Sequence, residues 1–245
     1  MQLKGKVAVI TGGARMGQAI AEALARGGCH VALVYRSSKA SAEQAARRAR
    51  ALGVKGVIVQ ADLQDPRQPA RAVQQTVRRL GRLDVVIHMA SLYRKTPFQM
   101  LNAQVWQEQM DADVRSGYLL AIAAAPLMKR RGAGRIIFIA DWIAASGRPR
   151  YQDYLPYYVA KKAVIGLTEA LALELAPRVL VNAVAPGPML KPAGLSARED
   201  AEVKRATPLG RWGGADEMAK AVVFLAETDF VTGECLRVDG GRHLR

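Results

Sequence analysis

Apolar and polar positions along the chain fall into two alternating rhythms. Nearly continuous apolar runs of strand length recur as KVAVIT, HVALVY, GVIVQ, DVVIHM, RIIFIA, VLVNAVA and CLRVDG. A run that is apolar at every position predicts a strand covered on both faces. Between these runs lie alanine-rich stretches such as AIAEALARGG and EALALELAP, whose apolar positions recur with helical spacing. Strand and helix in alternation predict parallel pairing with right-handed crossovers, because a helix must carry the chain back across the sheet before the next parallel strand begins. The expected architecture is α/β, a single doubly wound domain over residues 1–245 with a parallel seven-stranded sheet and helices on both faces. The Pro/Gly-rich stretches, PGPMLKPAGL among them, are too short to divide it, and no repeat of solenoid period is present.

Composition narrows the class. The 245 residues are 50% apolar and 23% charged, which argues against disorder and against collagenous or coiled-coil structure. The opening MQLKGKVAVITGG lacks the apolar core of a signal peptide, and no stretch approaches the length of a membrane span. A soluble, cytoplasmic protein without a membrane partner is expected. Cys29 and Cys235 stand too far apart for a metal site, and the three histidines form no ligand spacing with them. No metal is expected, and both thiols are expected to be buried. The net charge of +15 invites a nucleic-acid reading. Its lysines and arginines are spread over the chain, however, densest in SAEQAARRARALG and QQTVRRLGR on the polar sides of helical patterns. Without an aromatic-rich RNA-binding motif or zinc-finger spacing, they read as a solvated surface that attracts anionic cofactors rather than as a specific nucleic-acid interface.

Candidate chemistry begins in VAVITGGARMGQAIAEAL, which reads as strand, glycine turn and helix. That order brings backbone N–H groups and a helix N-terminus against a pyrophosphate, as in a Rossmann-type dinucleotide fold. After the second strand, a site for NAD would offer a carboxylate to the ribose hydroxyls, whereas VALVYRSS offers Arg36, Ser37 and Ser38. A guanidinium flanked by hydroxyls suits the 2′-phosphate of NADPH. Further on, PYYVAKKAV holds two overlapping Tyr-x-x-x-Lys pairs, Tyr157 with Lys161 and Tyr158 with Lys162. Each pair is one helical turn apart, and spacing alone leaves both open.

Taken together these motifs resemble the short-chain dehydrogenase/reductase family over nearly the whole chain. TGGARMG is similar to the family's glycine motif, ADL to its adenine contact, HMAS to its Asn-Asn-Ala-Gly stretch and YYVAK to its Tyr-x-x-x-Lys. VNAVAPGP resembles the segment after the sixth strand, and TPLGRWGGADEMAKAVVFLA with FVTGECLRVDGG resembles the C-terminal signature. The resemblance implies cofactor contacts from Gly12, Arg15, Met16, Gly17, Arg36, Ser37, Asp62, Leu63, Ala90, Ser91, Lys161, Pro186 and Gly187. It also selects a pair, because Lys161 precedes KAVIGLT in the family's register. Tyr157 is then the proton donor, and Lys161 holds the nicotinamide ribose and draws the Tyr157 pKa down. Family members are homotetramers or homodimers, which the resemblance implies here.

Where the family most often has a catalytic serine, IIFIADW places Asp141. The pteridine reductase branch also uses aspartate there and has an Arg-x-Gly ending similar to Arg15-Met16-Gly17. Tyr93, in MASLYRKTP, falls where that branch stacks an aromatic residue on the pterin. On this resemblance the catalytic set is Asp141, Tyr157 and Lys161, with Arg15, Ser91, Tyr93, Asp141 and Tyr157 facing the small-molecule substrate. The expected activity is NADPH-dependent hydride transfer to a pterin-like C=N bond. The alternative is a carbonyl reductase acting on a 3-oxoacyl thioester or another ketone; a noncatalytic dinucleotide sensor or nucleic-acid-associated protein is a different class on the same fold. Several positions depart from the family pattern. The glycine motif is one residue shorter, Met89 and Asp113 stand where asparagines are common, and DWIAASGRPRYQDYLPY is longer than the usual interval, bringing Tyr151 and Tyr154 toward the substrate mouth.

Overall fold

Alternate residues of a strand reach opposite faces of its sheet, and here both faces are apolar. In β1 (Val7–Thr11), Val7 and Val9 pack into one core while Ala8 and Ile10 pack into another. The computed structural model describes residues 1–12, 14–147 and 151–244, with Ala14 described by its backbone alone. Gly13 of the glycine motif and residues 148–150 of the long segment before Tyr157 therefore lie outside the described residues. The other strands are β2 (His30–Tyr35), β3 (Gly56–Gln60), β4 (Val85–His88), β5 (Gly134–Ile139), β6 (Val179–Pro186) and β7 (Cys235–Val238). Each coincides with one of the apolar runs in the sequence. Among the described residues they form one seven-stranded sheet in the order β3-β2-β1-β4-β5-β6-β7, parallel throughout.

The helices are α1 (Ala14–Arg26), α2 (Lys39–Ala51), α3 (Gln68–Leu80), α4 (Ala103–Met110), α5 (Ser116–Arg131), α6 (Trp142–Ser146), α7 (Leu155–Leu175), α8 (Ala197–Arg205) and α9 (Ala215–Glu227). Helices α1, α2 and α9 cover one face of the sheet through Ile20, Leu24, Ala46, Met218 and Leu225. Helices α3, α5 and α7 cover the other through Val73, Leu120, Met128, Val164 and Leu175. Right-handed crossovers that start in the middle of the sheet and run outward both ways leave a crevice where the direction reverses. Here the reversal lies between β1 and β4, at their carboxyl ends.

Two local features bear on the site. A single π-helical turn, Asp111–Arg115, joins α4 to α5, and such turns interrupt helices most often where function needs it. Ser116 donates to the Ala112 carbonyl at 2.6 Å, so the neighbouring His88 Nε2, 2.8 Å from Ser116 Oγ, is the donor in that contact. Burial and the charge of Lys161 hold the imidazole pKa down at about 3, leaving His88 a neutral structural group beneath the crevice. Cys29 is buried as expected, and burial pushes its thiol up to about 12. Cys235 is only half-buried, because β7 is an edge strand of the sheet. No helix among the described residues is long and apolar enough to cross a membrane.

Candidate active site

A groove of about 290 Å³ opens at the carboxyl ends of β1, β2 and β4. Gly12 forms part of its floor with φ +69, and a Cβ there would lie 2.9 Å from the Ala90 Cα and backbone nitrogen. A glycine is required on both counts, since an L side chain disfavours this backbone region and the backbone just after β4 leaves no room. Gly12→Ala is therefore expected to cost at least about 1–2 kcal/mol, visible as a Tm lowered by several degrees and weakened cofactor binding in a fluorescence titration.

The wall of the groove next to β2 carries Arg36, Ser37, Ser38 and Ser41. Arg36 Nη1 donates to Gln64 Oε1 at 3.3 Å, which holds the guanidinium at the rim. Gln64 is itself fixed, its N–H bonded to Asp62 Oδ1 at 3.0 Å and its carbonyl to Arg115 at 2.9 Å. Asp62, buried Leu63, Ala90 and exposed Ser91 also line it, with Ile10, Leu33, Ala42 and Ala45 among its apolar walls. Gly12, Gly17, where a Cβ would lie 2.8 Å from the Gly12 carbonyl oxygen, a cation with hydroxyls at one end and apolar walls between fit a phosphorylated dinucleotide. Arg15 and Met16 start α1, with Arg15 exposed, and neither lines this groove. Pro186 and Gly187 also stand apart from it: Pro186 ends β6 and Gly187 follows, where a Cβ would lie 2.6 Å from Asp239 Cα.

The second cluster lies beside the crevice, on α7 and the end of β5. Pro156 opens the first turn of α7, a position that needs no N–H. The buried face then runs Tyr157, Ala160, Lys161, Val164, Thr168, Leu171 and Leu175, at three- and four-residue spacing. Tyr157 and Lys161 are on that face, whereas Tyr158 is half-buried and Lys162 points to solvent. The Tyr157 hydroxyl donates to Asp141 Oδ2 at 2.8 Å. Asp141 Oδ1 accepts from Ile143 N at 2.8 Å and so also caps α6. Lys161 Nζ donates to the Ile139 carbonyl at 2.8 Å and lies 5.7 Å from the centre of the Tyr157 ring.

Electrostatics correct one expectation. Lysine at this spacing was expected to draw the Tyr157 pKa down, but the direction is upward. Burial is the first cause and the negative charge of Asp141 the second, with Asp113 adding to both. Burial likewise raises the Asp141 pKa, opposed by its hydrogen bonds and by the charge of Lys161. The phenol is thus held in its protonated form.

Asp113, the departure from asparagine, is buried in the π-helical turn. Its two oxygens accept from Leu92 N at 3.2 Å and from Gln109 Nε2 at 2.6 Å, and the same Gln109 amide donates to the Leu92 carbonyl at 2.8 Å. A carboxylate can accept both bonds, and in this place it anchors the loop carrying Ser91 and Tyr93. Gln109 and Gln64 escaped the sequence reading because a lone glutamine carries no spacing signal.

Aromatic rings gather around the Tyr157 ring. Tyr93 stacks on Tyr154 with centroids 4.9 Å apart and planes at 25°, and meets Tyr157 edge-on at 5.0 Å. Tyr151 lies edge-on to both Tyr154 and Trp142, and the Arg242 guanidinium sits 5.6 Å from the Trp142 ring centre. Beneath them Asp141, Tyr154, Tyr157 and Lys161 enclose about 10 Å³, the space of roughly one water.

Known proteins resemble the chain in sequence and in fold. Residues 13–243 match the family described as enoyl-(acyl carrier protein) reductase. The 3-oxoacyl-(acyl-carrier-protein) reductase FabG of Staphylococcus aureus is 32% identical over 245 residues, spanning 98% of this chain and 98% of that protein. A solved short-chain dehydrogenase/reductase from Serratia marcescens superposes with a TM-score of 0.91 at 32% identity, covering 99% of this chain and 100% of that one. The NADPH-dependent 3-quinuclidinone reductase of Rhodotorula rubra superposes with a TM-score of 0.90 at 29% identity, covering 100% of this chain and 93% of that one.

Proposed function

The chain belongs to the short-chain dehydrogenase/reductase family, and on that premise we propose that it is an NADPH-dependent carbonyl reductase, adding hydride to a ketone carbon and a proton to its oxygen. The observation that carries the reading is the Tyr157 hydroxyl, bonded at 2.8 Å to Asp141 and kept protonated, at the carboxyl edge of the sheet beside the groove. The similar proteins named above act on a 3-oxoacyl thioester and on a cyclic ketone, which favours a carbonyl over a C=N bond. Arg36, Ser37 and Ser38 support the phosphorylated cofactor.

When bound, the nicotinamide supplies the hydride. Tyr157 gives its hydroxyl proton to the carbonyl oxygen. Asp141 rests as the carboxylate that accepts the Tyr157 hydroxyl; once Tyr157 has given up its proton, Asp141, whose burial raises its proton affinity, takes one from water and passes it to the Tyr157 oxygen. Lys161 offers its remaining N–H donors to the nicotinamide ribose, and its charge offsets the anion left when Tyr157 has given up its proton. The sum is one ketone, one NADPH and one proton converted to one alcohol and NADP⁺.

A second reading, reduction of a pterin, draws on Asp141 in the serine position and on Tyr93 beside Tyr157. Following NADPH oxidation with a panel of ketones, dihydrobiopterin and dihydrofolate separates the two. Turnover of ketones is expected; turnover confined to the pterins would overturn the carbonyl reading in favour of the second.

A further inference from the structure

Arg242 opens the short 3-10 turn Arg242–Leu244 beyond β7, and its guanidinium joins two elements. Nη1 donates to the Val203 carbonyl at 2.8 Å and to Thr207 Oγ1 at 3.4 Å, while the same group sits 5.6 Å from the centre of the Trp142 ring. Val203 lies near the end of α8, and Trp142 opens α6 immediately after Asp141. We infer that Arg242 is a positioning residue for the proposed reduction: it fastens α8 to the α6 wall of the site and so sets how tightly the ketone is held beside Tyr157. The inference rests on the carbonyl-reductase reading and adds a residue to its site.

Helix α8 is carried on an excursion that leaves the sheet at the edge where the site lies. β6 ends at Pro186 beside β5, whose own end leads into Asp141. The Pro188 carbonyl accepts from Gly213 N at 3.0 Å and the Met189 carbonyl from Gly214 N at 2.8 Å, so the chain departs and returns at one place. A loop closed at its base owes its position to what holds its tip. Apolar packing, the usual anchor of a helix, is not that hold, since α8 has no buried residue. Asp200 accepts from Trp212 Nε1 at 2.7 Å and pairs with Lys191 at 3.3 Å, but both partners belong to the same excursion. Contacts to the C-terminal turn reach outside it: Leu209 N donates to the Gly240 carbonyl at 3.1 Å, and Arg242 donates to Val203.

A guanidinium suits both of these contacts. Val203 is among the last carbonyls of α8, which a helix leaves short of N–H partners and at the negative end of its dipole. The Trp142 ring is 5% exposed, and a cation gains more against a shielded π face than against an open one. Trp142 starts the helix that Asp141 caps through Ile143 N at 2.8 Å, and Asp141 also accepts the Tyr157 hydroxyl. Tyr151 meets the same indole edge-on at 6.5 Å and continues to Tyr154 at 6.0 Å. Arg242 is itself placed from the sheet. Buried Asp239, just past β7, accepts Arg242 N on its carbonyl at 3.2 Å and His243 N on Oδ2 at 3.0 Å.

The test compares Arg242→Ala, Arg242→Lys and Trp142→Leu in the full chain, using the ketone that the unaltered protein reduces fastest. Arg242→Ala is expected to raise KM for that ketone about tenfold. Because the proton donor and the cofactor groove are untouched, kcat and NADPH affinity should stay within a few-fold. Arg242→Lys, which keeps a cation and a donor, should recover most of the loss. Trp142→Leu should raise KM in the same way, and the double variant with Arg242→Ala should be hardly worse than either single one, since both cut the same link. Loss of kcat and Tm with KM unchanged, or KM effects that add in the double variant, would overturn the inference. Amide hydrogen exchange on the NADP⁺-loaded protein needs no turnover, and exchange over residues 197–205 should quicken about tenfold or more in Arg242→Ala. Unchanged exchange there overturns the inference whether or not any ketone is reduced. Quickened exchange in a protein that reduces no ketone leaves the fastening by Arg242 standing and removes the carbonyl reading.

Discussion

Replacing Tyr157 by Phe is expected to lower kcat/KM for ketone reduction by roughly 10²–10⁴-fold, the usual worth of a positioned proton donor. The substitution removes one hydroxyl and leaves the ring, so the edge-on contact with Tyr93 at 5.0 Å and the packing of α7 persist. NADPH affinity, read by fluorescence titration, should therefore stay within a few-fold of the starting protein. Turnover that survives the change would mean that the proton comes from another group. The pH dependence follows from the same geometry. Burial and the charge of Asp141 hold the Tyr157 pKa above the ordinary phenol value of about 10. The donor form is then fully present through neutral and mildly alkaline pH and is lost only as pH rises through the raised pKa. Reduction should show no alkaline decline from Tyr157 below about pH 10, while alcohol oxidation, which needs the phenolate as base, should be slow at neutral pH. Rate–pH profiles measured in both directions check this.

The direction of that shift shows what a sequence can and cannot carry. Tyr157 and Lys161 are four residues apart, and their spacing is visible to any reader of helices. Burial and the partner Asp141, sixteen residues upstream, arise only when β5 ends beside α7. The strands were legible for a simpler reason. A segment covered on both faces must be apolar at every position, so the seven runs announce themselves, and parallel pairing follows from the helices between them. The edge strand β7 obeyed the pattern while exposing Cys235, because an apolar run does not say how far out in the sheet its strand lies.

Loop contacts were least legible. The bonds from Asp113 and Gln109 to Leu92 join a π-helical turn to a loop, and the stack of Tyr93 on Tyr154 joins that loop to the start of α7. Residue type announces an aromatic or a carboxylate, but which ring faces which is decided by backbone paths that carry no periodic signal. Arg15 illustrates the converse. It has the motif position expected of a phosphate or substrate contact, yet its side chain is exposed and outside the groove.

Arg36→Asp is expected to shift cofactor preference from NADPH toward NADH by about 100-fold or more. Two effects act in the same direction. The guanidinium sits on the β2 side of the groove, steadied by Gln64 at 3.3 Å, with Ser37 and Ser38 beside it. Removing it loses a charge-assisted contact to the 2′-phosphate, worth about 1.5–3 kcal/mol. Placing a carboxylate there adds repulsion against that phosphate and supplies an acceptor for the free 2′-hydroxyl of NADH. The rise in KM for NADPH should therefore exceed what Arg36→Ala produces, and only the aspartate variant should lower KM for NADH. Because Arg36 lies at the adenosine end, remote from the Tyr157 hydroxyl, kcat at saturating cofactor should change far less than KM. A variant with unaltered preference would mean that the phosphate is held by groups other than Arg36, and one that lost kcat as well would mean that Arg36 shapes the fold rather than the choice of cofactor.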